Sequence, residues 1–455
     1  MGLRFKDVSE RSGSMDMMNG PLLGKLCAFA LPLAVCSVLQ QLFNSADAAV
    51  VGRFVSNDAL AAVGSVGPVI SLAVNLFVGL SIGANVDLAI HIGHNRPDKI
   101  HDSVGTSILL SLASGVFLIA VGVLLARPAL EAISVPSGAI DMATDYLRIY
   151  FLGMPFMMLY NFGSAILRSK GDTMRPLFAL AVACVVNLGL NLLFVQFEWE
   201  VAGVAAATVI SNGVCAAIIV WFLVHEHDAF KLEFRHLRLR REPLVSIAKI
   251  GIPAGLQGVM FSISNVIIQA AINGFGEQVM AGSAASLNYE CYTYYLVAGF
   301  TSAAVTFTGQ NYAARKYDRC KRVYALCMAL GVITSGITVA IFVGFGEFFL
   351  GIFTPDKVAI SYGMTRMFIV EMFEFGTSSY EVTAGVMRGL GWSMLPAVIT
   401  MVGTCFLRIA WVYLVFPQTQ SYESLMVVYP ISWLATGTAM IAAYFWLRRT
   451  AYAGE

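Results

Sequence analysis

The sequence predicts an all-α polytopic membrane protein of about twelve transmembrane helices, in two pseudo-equivalent six-helix lobes. Three observations carry this. Hydrophobic residues make up 58% of the chain and charged residues 13%, which is too apolar to be hidden in one globular core. Apolar stretches of roughly 20 residues or more recur along nearly the whole length, each long enough to cross a hydrocarbon layer ~30 Å thick. One phrase, R-x-x-G-x-x-M-x-P, is written twice, 220 residues apart: Arg168, Gly171, Met174 and Pro176, then Arg388, Gly391, Met394 and Pro396. An aromatic residue, Tyr160 or Tyr380, precedes each copy by eight residues.

In chain order the spans are expected at 26–50, 59–88, 104–126, 143–167, 177–197, 201–224, 246–273, 280–308, 323–345, 361–387, 396–416 and 425–447. The runs are continuously apolar and do not alternate, which favours helices over a barrel. Residues 1–24 are polar and of mixed charge, with no apolar core of a signal peptide, and Lys6 breaks the myristoylation pattern. An N-terminal lobe at 25–224 and a C-terminal lobe at 246–447 are joined by a charged linker at 225–245, and a tail follows at 448–455. Other matches recur at nearly the same offset. Leu31-Pro32 opens the first helix and Ile252-Pro253 the seventh, while Asp98-Lys99 in one loop meets Asp318-Arg319 in the other. Six spans is an even number, so the halves should be related by an axis along the membrane normal and not by inversion.

Basic residues near span ends fix the orientation. Arg96 and Lys99, Arg168 to Arg175, Lys231 to Lys249, Arg315 to Arg322, Arg388, Arg448 and Arg449 fall on the side of the N-terminus; the other side has little beyond Arg53, Arg127 and Lys357. Both termini are therefore predicted to be cytoplasmic, in a bacterial inner membrane. These loops are read as topology signals and not as a nucleic-acid surface, and the net charge of +1 says nothing of partners. The eight cysteines sit mostly within spans without C-x-x-C spacing and read as small apolar filler. His225 and His227 stand at i and i+2, not at the i+4 spacing that puts two imidazoles on one helical face.

A charge deep in the bilayer costs at least ~2.5–3.5 kcal/mol, so every polar group inside a span needs a reason. On the first span Gln40, Asn44 and Asp47 fall at i, i+4 and i+7, one stripe in an apolar run. Asn187 and Asn191 on the fifth span would form the opposing polar wall. An acid there, with amides able to hold either protonation state, suits a proton or cation switch; an acid that only glues helices together is the plainer reading. The second half has a different set. Glu371, Glu374 and Glu381 lie on or near one stripe of the tenth span, Tyr289, Glu290 and Tyr294 on the eighth, and Gln257, Asn265 and Gln269 on the seventh. Ile268 occupies the position equivalent to Asp47. Acids beside aromatic rings suit an organic cation, whereas tyrosines near span ends also serve as interface anchors. Gly79-x-x-x-Gly83, Gly251-x-x-x-Gly255 and Gly385-x-x-x-Gly389 offer close helix contacts, and Pro32, Pro155 and Pro253 offer bends.

Leu31-Pro32, the stretch from Phe43 through Asp47 to Arg53, Ala59 to Gly64, Gly79 to Ala84, Gly309 to Tyr312 and Glu381 to Gly391 resemble the multidrug and toxic compound extrusion (MATE) transporters, most nearly the DinF-like bacterial branch. The similarity covers almost the whole chain. It implies two six-helix lobes flanking a central cleft, and export of organic, often cationic, compounds in exchange for protons or sodium ions. It also implies a coupling role for Asp47. Where relatives have Asn and then Asp on the fifth span, this chain has Asn187 and then Asn191. A seventh-span glutamate found in another branch is not evident, Gln257 being the nearest polar residue. Asp87, Glu290 or Glu381 would then share the ion work.

The expectation is thus a monomeric antiporter, not an enzyme, with a small organic substrate, lipid as its surroundings and no cofactor beyond the coupling ion, H+ or Na+. No G-x-x-x-x-G-K-[ST] sequence for ATP is present. A flippase for a lipid-linked precursor would share the architecture, but would line its cleft with basic residues for a pyrophosphate. Arg148, Arg366 and Arg408 are expected toward external span ends instead. An intramembrane hydrolase would need an acid pair or zinc motif, and only His91 lies near a span.

Overall fold

In lipid each backbone N–H and C=O must be satisfied within its own segment, so a long apolar run folds as a helix. The computed structural model describes residues 15–452, apart from 55–56, 134, 136–139, 198–199 and 235–236. Every regular element among the described residues is helical. In order these are α1 (Leu22–Phe54), α2 (Asn57–Gly93), α3 (Pro97–Ala132), α4 (Ile140–Leu152), α5 (Met154–Ser169), α6 (Met174–Gln196) and α7 (Glu200–Val224). After the linker come α8 (Arg241–Asn273), α9 (Glu277–Ala313), α10 (Tyr317–Gly344), α11 (Gly346–Phe353), α12 (Lys357–Ile369) and α13 (Ser378–Gly389). The chain ends with α14 (Met394–Thr400), α15 (Leu407–Leu414), α16 (Phe416–Thr419) and α17 (Tyr422–Ala451).

Nine described helical stretches are long and apolar enough to cross a membrane, and the α4–α5 pair, bent by 48°, makes ten. The remaining two expected spans, 280–308 and 361–387, are also helical but more polar. Two spans expected to be continuous are broken. The fourth is cut at Gly153, with Pro155 near the start of α5, where a missing N–H and a fixed φ are tolerated. The tenth changes at Glu371–Thr377 into 3-10 helix between α12 and α13. Glu371 and Glu374 therefore do not share an α-helical stripe with Glu381, which lies in the first turn of α13. The eleventh holds a π turn at Met401–Phe406.

The chain forms two compact units, one of residues 15–19 and Val35–Gly255, the other of Gly20–Ala34 and 256–452. The written repeat is also a repeat of backbone. Gly171 (φ +96°) and Gly391 (φ +87°) both adopt the left-handed conformation that ends a helix without a Cβ penalty. In one copy Gly171 N–H bonds Arg168 O at 2.9 Å and Asp172 N–H bonds Leu167 O at 3.0 Å; in the other Gly391 N–H bonds Arg388 O and Trp392 N–H bonds Met387 O, both at 2.9 Å. These are the paired bonds of a Schellman cap. Asn95 (φ +55°) and Arg315 (φ +57°) repeat the device at the loops that end α2 and α9.

The glycine pairs are used for close packing. In the first unit a Cβ on Gly79, Gly83, Gly251 or Gly255 would run into backbone across the α2–α8 contact, and in the second unit Gly385 and Gly389 lie on the carbonyls of Thr301 and Val305. The start of the linker folds onto the first unit. Phe230 and Leu232 are buried, and Glu226 takes the ammonium of buried Lys170 at 2.7 Å together with the Arg175 guanidinium. Asp172, in the same loop, has its carboxyl pushed up by burial, and the Arg175 N–H and guanidinium draw it part of the way back.

Candidate functional site

In the first unit three helices bring neutral polar groups to one acid. Asp47, on α1, is 2% exposed. Its two oxygens accept from Asn191 Nδ2 on α6 at 2.6 Å and from Thr208 Oγ1 on α7 at 2.7 Å. Asn191 Nδ2 also donates to Asn187 Oδ1 at 3.1 Å, and Asn187 Nδ2 to Thr208 Oγ1 at 3.4 Å. Tyr146 and Tyr150 on α4, rings stacked 6.0 Å apart, lie within electrostatic reach of the carboxylate. Among the described residues no Lys, Arg or His forms an ion pair with Asp47, and the buried Asn191 Oδ1 has no hydrogen-bond partner. The result is a buried cluster of amide, hydroxyl and carboxylate oxygens around a single acid.

The expected stripe on α1 therefore divides. Asp47, Asn187 and Asn191 come together as read from the sequence; Gln40 is exposed and outside this bond network, and the Asn44 side chain lies outside the described residues. Thr208 and the two tyrosines were not anticipated. A single Thr among Ala and Val on α7 carries no periodic signal. Asp87, near the end of α2, is held separately, accepting from Ser103 Oγ at 2.6 Å with His91 Nε2 at 3.6 Å.

The second unit buries four acids, Glu290, Glu371, Glu374 and Glu381, with three arginines, Arg366, Arg388 and Arg408, none more than 7% exposed. Arg366 Nε and Nη2 grip Glu290 at 2.6 and 2.8 Å, and Nη1 donates to Ser283 at 2.8 Å. Such a fork matches a carboxylate in both charge and shape. The Tyr429 ring lies near two guanidiniums, 5.4 Å from Arg366 and 4.3 Å from Arg408. Glu371 accepts from Thr293 at 2.6 Å through one oxygen, and its other oxygen is buried without a partner. Glu374 lies within electrostatic reach of Glu371, Glu290, Arg408 and Arg366. Glu381 accepts from Tyr294 at 3.4 Å, and Arg388 donates to Gln257 at 2.7 Å.

Several sequence expectations change here. Arg366 and Arg408, expected toward external span ends, are buried, and the motif arginine Arg388 joins them. Glu290 is not a free acid, because Arg366 already neutralises it. Tyr289 packs among Phe342, Phe349 and Phe353 and donates to Phe349 O at 2.7 Å, which makes it a structural tyrosine. Asn265 is exposed. The arginines were legible as expensive residues but not as partners, since Glu290 and Arg366 are 76 residues apart.

The family model MatE matches residues 32–193 and again 253–414. A probable multidrug resistance protein of Bacillus subtilis, YoeA, is 26% identical over 384 residues, 82% of each chain. NorM of Thermotoga maritima, also a probable multidrug resistance protein, is 26% identical over 412 residues, 87% of this chain and 86% of its own. MepA of Staphylococcus aureus, a multidrug export protein, is 23% identical over 376 residues, 82% of this chain and 80% of its own. Among solved structures, a MOP superfamily transporter from Pyrococcus furiosus has a TM-score of 0.86 at 23% identity, covering 96% of this chain and 97% of that one. A MATE transporter in its bent conformation has the same TM-score at 22% identity, with the same coverage. At such identities the structures speak for the fold alone. The paired match of the family model, one in each half of the chain, completes the case: the chain belongs to the MatE family of multidrug and toxic compound extrusion transporters.

Proposed function

We propose that the chain is a secondary antiporter that exports organic, often cationic and amphipathic, compounds in exchange for protons or sodium ions by alternating access. Residues 25–224 and 246–447 would each supply one lobe, with both termini in the cytoplasm of a bacterial cell. The named activities of the relatives, multidrug resistance and export, support the substrate class. The observation that carries ion coupling is Asp47: a buried carboxylate bonded, among the described residues, only by neutral donors. A buried charge without a counter-charge is costly. A proton on the carboxylate removes that cost, and so does a cation among the oxygens of Asp47, Asn187, Asn191 and Thr208, the donor type that hard cations take. With Asn191 in place of a second acid, one elementary charge is the natural unit of exchange here. Moved down 100 mV it supplies ~2.3 kcal/mol, enough for a substrate gradient of roughly fiftyfold.

The second unit supports a further ion or substrate-cation site. With all seven groups ionised, four carboxylates against three guanidiniums would leave one negative charge in excess. Glu371, Glu374 and Glu381, the three without an arginine fork, would share it, Glu381 with Tyr294, and with Gln257 bound to Arg388. The test is efflux of a fluorescent organic cation from loaded proteoliposomes under separately imposed proton and sodium gradients. One gradient is expected to drive efflux, and Asp47→Asn to abolish that dependence. Gradient-driven efflux that survives in the variant removes Asp47 from the mechanism.

A further inference from the structure

Asp87 and His91 stand outside the Asp47 network, at i and i+4 on one face of α2 in the first unit. Asp87 Oδ2 accepts from Ser103 Oγ on α3 at 2.6 Å, and Asp87 Oδ1 faces His91 Nε2 at 3.6 Å. Ser246 on α8 approaches the same carboxylate. The Asp87 side chain is 4% exposed and that of His91 12%, so the ring, one turn nearer the end of α2, meets water first. We infer that Asp87 and His91 form a second proton-binding site, apart from Asp47, with one exchangeable proton held between them.

A contrast with the buried pair of the second unit carries the inference. Arg366 grips Glu290 through two hydrogen bonds at 2.6 and 2.8 Å, and a guanidinium does not give up its proton. An imidazole does. The 3.6 Å gap to Asp87 is too long for a hydrogen bond, and the buried His91 Nδ1 has no hydrogen-bond partner among the described residues. The tautomer of a histidine is set by the bond that its other nitrogen makes; with none at Nδ1, nothing fixes this ring in one state. With the proton bound, imidazolium and carboxylate cancel. Without it, Asp87 is a buried charge met by hydroxyls alone, which is costly. His91 also lies in the last turn of α2, where the helix dipole favours a cation.

The other charges at this end have partners of their own. Glu242 of α8 is within electrostatic reach of Asp87, but Lys99 of α3 pairs with it. Arg96, in the turn before α3, acts on the same Glu242. Asp102 of α3 pairs with Arg240 at 3.4 Å, and Arg168 of α5 lies by Tyr160 and Cys36. His94 and His101 are the remaining imidazoles here. Among the described residues no third His, Cys, Asp or Glu joins the pair to make a metal set, whereas a proton needs only the two groups present.

The experiment is NMR of the full chain in detergent micelles with the imidazole Cε1 carbons labelled. The chain has six histidines, and His91→Gln identifies the signal of interest. Removing the negative partner in Asp87→Asn is expected to make the His91 ring lose its proton at a proton concentration about tenfold higher or more than in wild type. Asp87→Ser, which drops the charge but keeps a hydroxyl for the neighbouring helices, is expected to do the same, and Asp87→Glu to restore most of the wild-type curve. Asp47→Asn leaves the curve within about twofold, since a separate site is screened from it; a larger displacement would make the two acids one network and overturn the proposal. A wild-type ring that keeps one charge state across about pH 5 to 8 overturns it too. So does a curve that neither Asp87→Asn nor Asp87→Ser moves, which would leave Asp87 a clamp between α2 and α3. The measurement follows the proton on one ring, so its outcome is independent of whether efflux is driven by an ion.

Discussion

The two units solve the same problem, a carboxylate away from water, in opposite ways. In the first, Asp47 is met by an amide and a hydroxyl and by no cation of the protein among the described residues. In the second, Glu290 is locked by Arg366, and Arg388 and Arg408 stand among the other acids. The backbones repeat closely enough to reproduce left-handed caps 220 residues apart, yet the position equivalent to Asp47 is Ile268, 1% exposed. Duplication kept the scaffold, and the electrostatics diverged. A charge matched by neutral donors is free to change its counter-ion, whereas one matched by a guanidinium fork is fixed. Under the coupling proposed above, the first suits a switch and the second a fixed support.

The strongest way to break this contrast is to delete a counter-charge. Arg366→Ala leaves Glu290 buried and unpaired, which should cost about 3–5 kcal/mol of stability, read from thermal or denaturant unfolding in detergent. The double variant Arg366→Met/Glu290→Gln should recover most of that loss, because the penalty belongs to the orphaned charge. Asp47→Asn, by contrast, should move stability by no more than about 1 kcal/mol while abolishing coupling. If Arg366→Ala unfolds no more easily than Asp47→Asn, the second unit is not held by its ion pairs.

How far each unit could be read beforehand follows from the same chemistry. Spans announce themselves because twenty consecutive apolar residues have few other uses, and Asp47, Asn187 and Asn191 stood out as polar groups in otherwise apolar helices. Thr208 did not, since a hydroxyl in an Ala-rich helix is equally at home bonding its own backbone, as it also does to Val204 O at 3.1 Å. The break of the tenth span was hidden for another reason. Glu371, Met372, Phe373, Glu374 and Phe375 read as helix in periodicity, and only the three-dimensional demand of placing Glu371 against Thr293 and Glu374 among arginines shows why the chain tightens there. Pairing across 76 residues is a property of packing and is invisible in one sequence without coordinates.

A smaller effect sharpens how equivalent the two scaffolds are. Gly391→Ala places a Cβ in open space, so it should cost only the left-handed strain of about 1–2 kcal/mol. Gly171→Ala carries the same strain and adds a crowded Cβ, 2.8 Å from Met15 Cβ and 3.0 Å from its backbone N and O, so a further ~1 kcal/mol or more is expected in the same unfolding assay. Equal losses would mean that residues near Met15 give way freely and that the caps, not their surroundings, set the cost.

The most local change bears on the proposed switch itself. Thr208→Val keeps the shape of the side chain and removes the 2.7 Å hydrogen bond to Asp47 Oδ2. A bond to an ionised group is worth roughly 1.5–3 kcal/mol, so the half-maximal ion concentration for driven efflux should move by about tenfold or more. Its direction identifies the ion. If sodium couples, the variant has lost an oxygen ligand and the curve moves to higher sodium. If the proton couples, the bare carboxylate has lost a stabilising donor, protons bind more readily, and the curve moves to higher pH. No shift with either ion would mean that Thr208 serves only its own helix, leaving Asn191 to hold the acid alone.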